Sequence, residues 1–264
     1  MSSREEREWW PRLKARGVIK DLKISQPSDI SVEDIAWNQG ALVIDGGVSG
    51  CDARLLYTPE AGPARLRVRQ NLAPPGKRRF AIAHELGHLA LKHDPGLPTE
   101  CSEKEFLRWY NGQSDKEAEA NVFAAELIMP ESLFAPVANS TQPSFETIER
   151  LASDFKTTLT ATAIRYAQLS GKRCAVVCSS NRRVDWCWPS PEFHYWIKRG
   201  QELRGNSFAI DFFDKGPSAQ EMREAQAVPR NAWIEGELMK DSITEQSRPL
   251  TFYGSALTLL WIQD

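Results

Sequence analysis

The sequence predicts an α+β protein on three observations. Short alternating apolar segments fall between residues 41 and 70, apolar residues recur at helical spacing on both sides of residue 100, and strand-like text returns after residue 173. A chain of 264 residues with 41% hydrophobic content is long enough for one large domain or two modest ones, each with its own core. Residues 4–17 carry a helical pattern, and Ser31 precedes Val-Glu-Asp-Ile-Ala-Trp as an N-cap precedes a first turn, so two short helices should open the chain. The segments ALVIDGG, ARLLYTPE and ARLRVRQN, separated by glycine-containing turns, predict a small antiparallel sheet. Pro74, Pro75 and Gly76 end that pattern, and Lys77 to His93 then place Phe80, Ala83, Leu86 and Ala90 on one helical face. After a looser stretch from Asp94 to Gln113, Ala118, Val122, Ala125 and Leu127 or Ile128 mark a second helix that starts near Ser114 and stops at Pro130.

Residues 136–144 are polar and turn-rich, the best place for a domain boundary. A helical pair over about 145–170 follows. CAVVCS, RVDWCW, a mixed middle section and LTFYGSALTLLWI then predict a mixed α/β module. The expected organisation is thus 1–140, a helical segment over 141–172, and a carboxy-terminal module over 173–264.

A formal net charge of −2 gives no global reason to expect binding to nucleic acid or to anionic lipid. The amino terminus MSSREEREWWPRLKARG lacks the apolar core of a signal peptide, and no stretch approaches the roughly 20 apolar residues of a membrane span. A soluble, cytoplasmic protein is expected. The five cysteines are odd in number and form no C-x-x-C pair, so they read as reduced core thiols. Cys174 and Cys178 lie on a predicted strand, where residues four apart are too distant to chelate one ion.

The chemistry concentrates in HELGH, residues 84–88. On a helix each residue advances by about 100°, so His84 and His88 stand about 40° apart on one face, where both imidazoles can hold one zinc ion. Glu85 projects beside them, where its carboxylate can take a proton from a water activated by the metal. Gly87 costs the helix about 1 kcal/mol relative to alanine, a cost that makes sense if another segment must approach the backbone there. Zinc is the metal these ligand types suggest, although manganese or iron also suits two histidines and a carboxylate.

A hydrolytic zinc usually has three protein ligands and one open position, so a third must be found. His93 falls nine residues after His84, about 180° around the helix, and reaches the same ion only if the helix ends before it. A solvated histidine, or one that supports another ligand, is the reading left to it. Glu117 is the better candidate, since it shares a face with Asn121 four residues later; the glutamate would bind the metal while Asn121 hydrogen-bonds a ligating histidine and fixes its tautomer. Ser114 to Glu117 also fits a capping box, and Glu119, on nearly the opposite face, is a rival ligand that reads better as solvated.

RRFAIAHELGHLALKH followed by EAEANVFAAELIMP resembles the ImmA/IrrE family of zinc metallopeptidases over roughly residues 10–170. The resemblance implies a zincin-like catalytic domain in which His84, His88 and Glu117 bind zinc and Glu85 is catalytic. It implies a helix-turn-helix transcriptional repressor as protein substrate, hence a switch of gene expression in a mobile element or a stress response. It also implies that the strand before the motif helix, about Ala64 to Gln70, can pair with an extended peptide. Residues 147–171 look like a helix-turn-helix, yet Glu146, Glu149 and Asp154 offset Arg150, Lys156 and Arg165, so packing against the catalytic domain is expected rather than direct DNA binding. The last module resembles a sensor domain of GAF or PAS type, whose Trp186, Trp188, Trp196 and Trp233 would line a pocket or fill a core.

A different class of function fits the same motif. A non-catalytic regulator would keep zinc as a clamp and bind DNA or a partner protein through its carboxy-terminal half. A closed structural zinc normally has a fourth protein ligand, for which Cys101 is the candidate, and the intact Glu85 argues against this reading.

Overall fold

The chain opens with α1 (Ser3–Asp21), longer than the pattern over 4–17 predicts because buried Val18 and Ile19 extend its apolar face. The computed structural model describes residues 3–48, 50–57, 62–93, 115–215, 224–235, 241–250 and 253–263. Two units are distinguished: Met1–Leu133 with Ala152–Thr158, and Phe134–Leu151 with Leu159–Asp264.

In the first unit, α2 (Val32–Asn38) begins where expected, with the Ser31 side chain accepting from the Asp34 amide at 3.3 Å. β1 (Ala41–Gly46), β2 (Ala53–Leu56) and β3 (Ala64–Arg69) form a sheet of order β1-β3-β2. This corrects the expected antiparallel sheet: β3 runs antiparallel to β2 but parallel to β1. Alternation decides which face of a strand is buried, here Ala64, Leu66 and Val68 of β3, and is silent on which strands become neighbours. The insertion of β3 between the others also overturns the expected peptide-pairing edge. Both sides of β3 are taken, and the edges left open among the described residues belong to β1 and β2.

The motif helix α3 (Pro75–Ala90) starts on Pro74 and Pro75, which suit a first turn whose N–H groups have no helical partner. Gly76 is required there, because a Cβ would lie 2.6 Å from the backbone carbon of Thr157. The helix stops at Ala90 rather than at His93; Lys92 adopts φ 56° and the His93 amide turns back to donate to the His88 carbonyl at 2.9 Å. α4 (Asp115–Ile128) lies along α3, with Ala120, Phe123, Ala124 and Leu127 buried. Arg16 on α1 holds the buried Glu126 of α4 at 2.9 Å and Glu131 at 2.6 Å. The looser stretch with Cys101, and Ser114 of the expected capping box, lie outside the described residues.

Residues 136–144, expected as a turn-rich boundary, are helical as far as Ser140: α5 (Glu131–Ser140) accommodates Pro136 and buries Phe134 and Ala138 four residues apart. α6 (Phe145–Phe155) and α7 (Leu159–Leu169) are the expected helical pair, and Arg165 on α7 is buried. The second unit is built on a five-stranded antiparallel sheet in which β4 (Cys174–Ser180), β5 (Arg183–Pro189), β6 (Gln226–Pro229), β7 (Ser242–Leu250) and β8 (Ser255–Trp261) are ordered β5-β4-β8-β7-β6. Val177, Leu260, Ile243 and Trp233 pack with Phe193, Leu203 and Ile210, the last on α8 (Ala209–Lys215). Trp186, Trp188 and Trp233 are buried, whereas Trp196 is 74% exposed and stands apart from them. Cys174, Cys178 and Cys187 are buried in this sheet, and Cys51 is buried in the first unit. Among the described residues no helix is long and apolar enough to cross a membrane.

Candidate metal centre

α3 and α4 can meet at close range because of Gly87. A Cβ built there would stand 3.0 Å from both the Cα and the carbonyl oxygen of Ala120, so the two backbones touch where a side chain would separate them. Gly87 does therefore mark a close approach, and the segment that approaches is the one carrying Glu117 and Asn121.

The structure brings His84, His88 and Glu117 into one group, with one ligand atom from each within 4.8 Å of the others. The His84 and His88 Nε2 atoms are 3.0 Å apart, Glu117 Oε2 is 3.1 Å from the first, and Oε1 is 3.3 Å from the second. Ligand atoms around a tetrahedral zinc, with bonds of about 2.0–2.1 Å, stand about 3.4 Å apart, so the three need open by only a few tenths of an ångström. Glu117 Oε1 is buried and makes no hydrogen bond, which fits a lone pair directed at a cation. The residues present fit the metal. The carboxylate faces the histidine rings rather than the start of its own helix, as a capping role would require.

Asn121 is buried, and its Oδ1 lies 2.8 Å from His84 Nδ1. An amide oxygen only accepts, so Nδ1 carries a proton; Nε2 then donates to Glu117 when the ring is charged and presents its lone pair on that side when the ring is neutral. Burial opposes a charge on His84, but its hydrogen bond to Glu117, the nearby Glu85 and Glu117 charges and the bond to Asn121 together raise its pKa above the ordinary imidazole value. Burial likewise works against the Glu117 carboxylate, and the adjacent His84 and His88 imidazoles outweigh it, holding Glu117 well below the usual carboxylate range. Glu85 is buried beside the cluster, and its Oε2 accepts a hydrogen bond from the Leu55 amide of β2 at 2.8 Å.

Glu119 corrects an expectation. Instead of facing solvent, its Oε2 sits 2.9 Å from His93 Nε2, and the side chain is 31% exposed. His93 Nδ1 in turn lies 2.9 Å from His88 Nδ1. Burial lowers the His93 pKa, and the neighbouring His88 lowers it further against the pull of Glu119. The arrangement can do three things: hold one cation between two imidazoles and a carboxylate, keep a second carboxylate ready to move a proton, and anchor that second carboxylate on a strand edge.

Residues 48–166 match the model of a peptidase family described as the IrrE N-terminal-like domain, a span that contains β2, β3, α3 and α4 and every residue named above. This stretch is similar to the IrrE N-terminal-like domain, in keeping with the resemblance of its motifs to the ImmA/IrrE family. Among solved structures, a Mycobacterium tuberculosis transcriptional regulator is similar over 95% of this chain and 76% of its own, with a TM-score of 0.57 and 17% identity; a likeness at that identity shows the fold. No curated protein matches the sequence.

The Leu55 amide and the His93–Glu119 pair are missed by sequence reasoning. A backbone N–H carries no side-chain signal. Sequence reasoning leaves His93 as a solvated histidine or one that supports another ligand, and its pairing with Glu119 follows only once α3 ends at Ala90.

Proposed function

We propose that this protein is a zinc-dependent endopeptidase that hydrolyses a peptide bond in a cytoplasmic helix-turn-helix transcriptional repressor and thereby switches gene expression. The observation that carries the reading is the convergence of His84, His88 and Glu117 with a fourth, buried carboxylate, Glu85, fixed next to them by the edge strand β2. His84, His88 and Glu117 hold the metal, and Asn121 keeps the His84 Nε2 lone pair available. When bound, zinc polarises the peptide carbonyl and lowers the pKa of water to about 7. Glu85 accepts the proton of the attacking water and delivers it to the departing amine nitrogen. The edge of β2 that is open among the described residues supports an extended substrate, because a strand pairing there would lie beside the Leu55–Glu85 contact.

The substrate class rests on the family match and is consistent with the mycobacterial neighbour being a transcriptional regulator. Residues 141–172 serve as a helical segment without direct DNA contact, a reading supported by the burial of Arg165. Residues 173–264 serve as a sensor-like module of GAF or PAS type on the antiparallel sheet. The test is incubation of the zinc-loaded protein with helix-turn-helix repressors encoded near its gene, read by mass spectrometry of the fragments. One repressor cut at one bond, with an unrelated unfolded protein left intact, is the expected result; indiscriminate cutting, or none, contradicts the proposed substrate.

A further inference from the structure

We propose that His93 and Glu119 form a positioning relay that orients His88 and strengthens it as a metal ligand. The inference rests on the reading that His84, His88 and Glu117 hold a metal, and it concerns residues that this reading leaves without a task.

Each histidine that binds through Nε2 needs a partner at Nδ1 to fix its tautomer and ring angle. For His84 that partner is a neutral amide, Asn121. For His88 it is another ring, and with a neutral His93 the carboxylate at the far end orders the protons along that path. Glu119 Oε2 lies 2.9 Å from His93 Nε2, and a carboxylate only accepts, so Nε2 of His93 donates. A neutral His93 then has a bare Nδ1, which accepts from His88 Nδ1 at 2.9 Å. His88 is left with its lone pair on Nε2, the atom 3.0 Å from His84 Nε2 and 3.3 Å from Glu117 Oε1. The path ends in an anion, which pulls on the proton of His88 Nδ1 through the intervening ring and makes Nε2 more basic.

The local fold is built for this contact. Because α3 ends at Ala90 and Lys92 takes a left-handed conformation, His93 returns to the same side as His88 instead of continuing around the helix. The two rings meet edge to face, with centroids 5.0 Å apart and planes at 68°. α4 then supplies two carboxylates to opposite edges of His88: Glu117 directly at Nε2 and Glu119 through His93 at Nδ1. His93 approaches the ring edge remote from the cluster, so it is not a fourth ligand.

The test compares wild type with His93→Ala, His93→Asn and Glu119→Ala. Zinc Kd is measured by competition with a chromophoric chelator, the visible spectrum of the cobalt form reports ligand geometry, and melting of the metal-free proteins reports the fold. His93→Ala should weaken zinc binding about ten- to a hundredfold and alter the cobalt bands. In His93→Asn the amide Oδ1 takes the place of the ring Nδ1 and accepts from His88, so most of the affinity should return; Glu119→Ala should show the smaller loss. A His93→Ala Kd within twofold of wild type, or His93→Asn binding no better than His93→Ala, overturns the relay. If His93→Ala fails to fold, His93→Asn and Glu119→Ala decide alone, and wild-type affinity in Glu119→Ala overturns the relay. A wild-type protein that binds no zinc overturns the underlying metal reading instead.

Discussion

Replacing Gly87 with alanine tests whether the contact between α3 and α4 sets the geometry of the site. The added Cβ would meet the Ala120 backbone at 3.0 Å in two places and the Ala120 Cβ at 3.3 Å. Carbon contacts are comfortable at about 3.5–4.0 Å, so the helices must part by about 0.5 Å. That is about the tolerance within which a metal or catalytic constellation stays productive. Ala120 lies between Glu119 and Asn121 and one helical turn from Glu117, so the displacement moves all three acceptors away from the histidines. Helix propensity works in the opposite direction by about 1 kcal/mol, against about 1–3 kcal/mol for overpacking. The expected balance is a net loss of up to about 2 kcal/mol in the metal-free protein and about a tenfold weaker zinc Kd. Denaturant melts and chelator competition measure the two. A Gly87→Ala protein about 1 kcal/mol more stable than wild type, with unchanged zinc affinity, would refute the reasoning, because propensity alone would then describe the site.

Further outcomes follow from other contacts. Gly76→Ala places a Cβ 2.6 Å from the Thr157 carbonyl carbon and should destabilise the first unit by about 3 kcal/mol in thermal or denaturant melts. His84, with its pKa raised in the metal-free protein, contributes stability fully below the ordinary imidazole value of about 6.5 and loses it as pH rises through the raised value. Zinc must displace that proton, so the zinc Kd should tighten as pH rises through the same window, and calorimetry in buffers of different ionisation enthalpy should show proton release at pH about 7. Glu117, with its pKa depressed, contributes stability above the ordinary carboxylate range that is lost only as pH falls through the lowered value, so its part of the acid transition should vanish in Glu117→Gln. Arg16→Ala strips the buried Glu126 of an ion pair at 2.9 Å; with Arg16 half exposed, the loss should be about 1–2 kcal/mol in denaturant melts. Glu245 is fully buried and accepts from Trp233 Nε1 and the Ala209 amide, both at 2.7 Å, so Glu245→Ala should destabilise the second unit by about 3 kcal/mol, seen as an earlier change in tryptophan fluorescence.

The core of the site was legible because helical spacing is rigid. His84 and His88, four residues apart, must share a face, and Glu117 with Asn121 repeats that spacing on a second helix. Gly87 was legible for a related reason, since a glycine inside a helix carries a cost that a close backbone approach explains. What stayed hidden depends on contacts that spacing does not encode. The alternation in ARLRVRQN gives the buried face of β3 but not its position between β1 and β2. Nothing in Leu91 and Lys92 signals that α3 stops, and a lysine at φ 56° is not the glycine or asparagine that usually marks such a turn. Glu119 therefore seemed to face solvent while the partner that holds it, His93, was placed on the wrong side of a longer helix. Residues 136–144 read as polar and turn-rich, yet the helix continues through Pro136 to Ser140, with Phe134 and Ala138 buried four residues apart.

The central claim is that His84, His88 and Glu117 hold a metal while Glu85 moves the proton. The most direct measurement pairs zinc stoichiometry with single-turnover cleavage of the repressor substrate for wild type, His84→Ala and Glu85→Gln. The account predicts about one zinc per chain in wild type and in Glu85→Gln, much weaker binding in His84→Ala, and cleavage by wild type alone. A Glu85→Gln protein that cleaves at the wild-type rate, or a wild type that binds no metal, would contradict it.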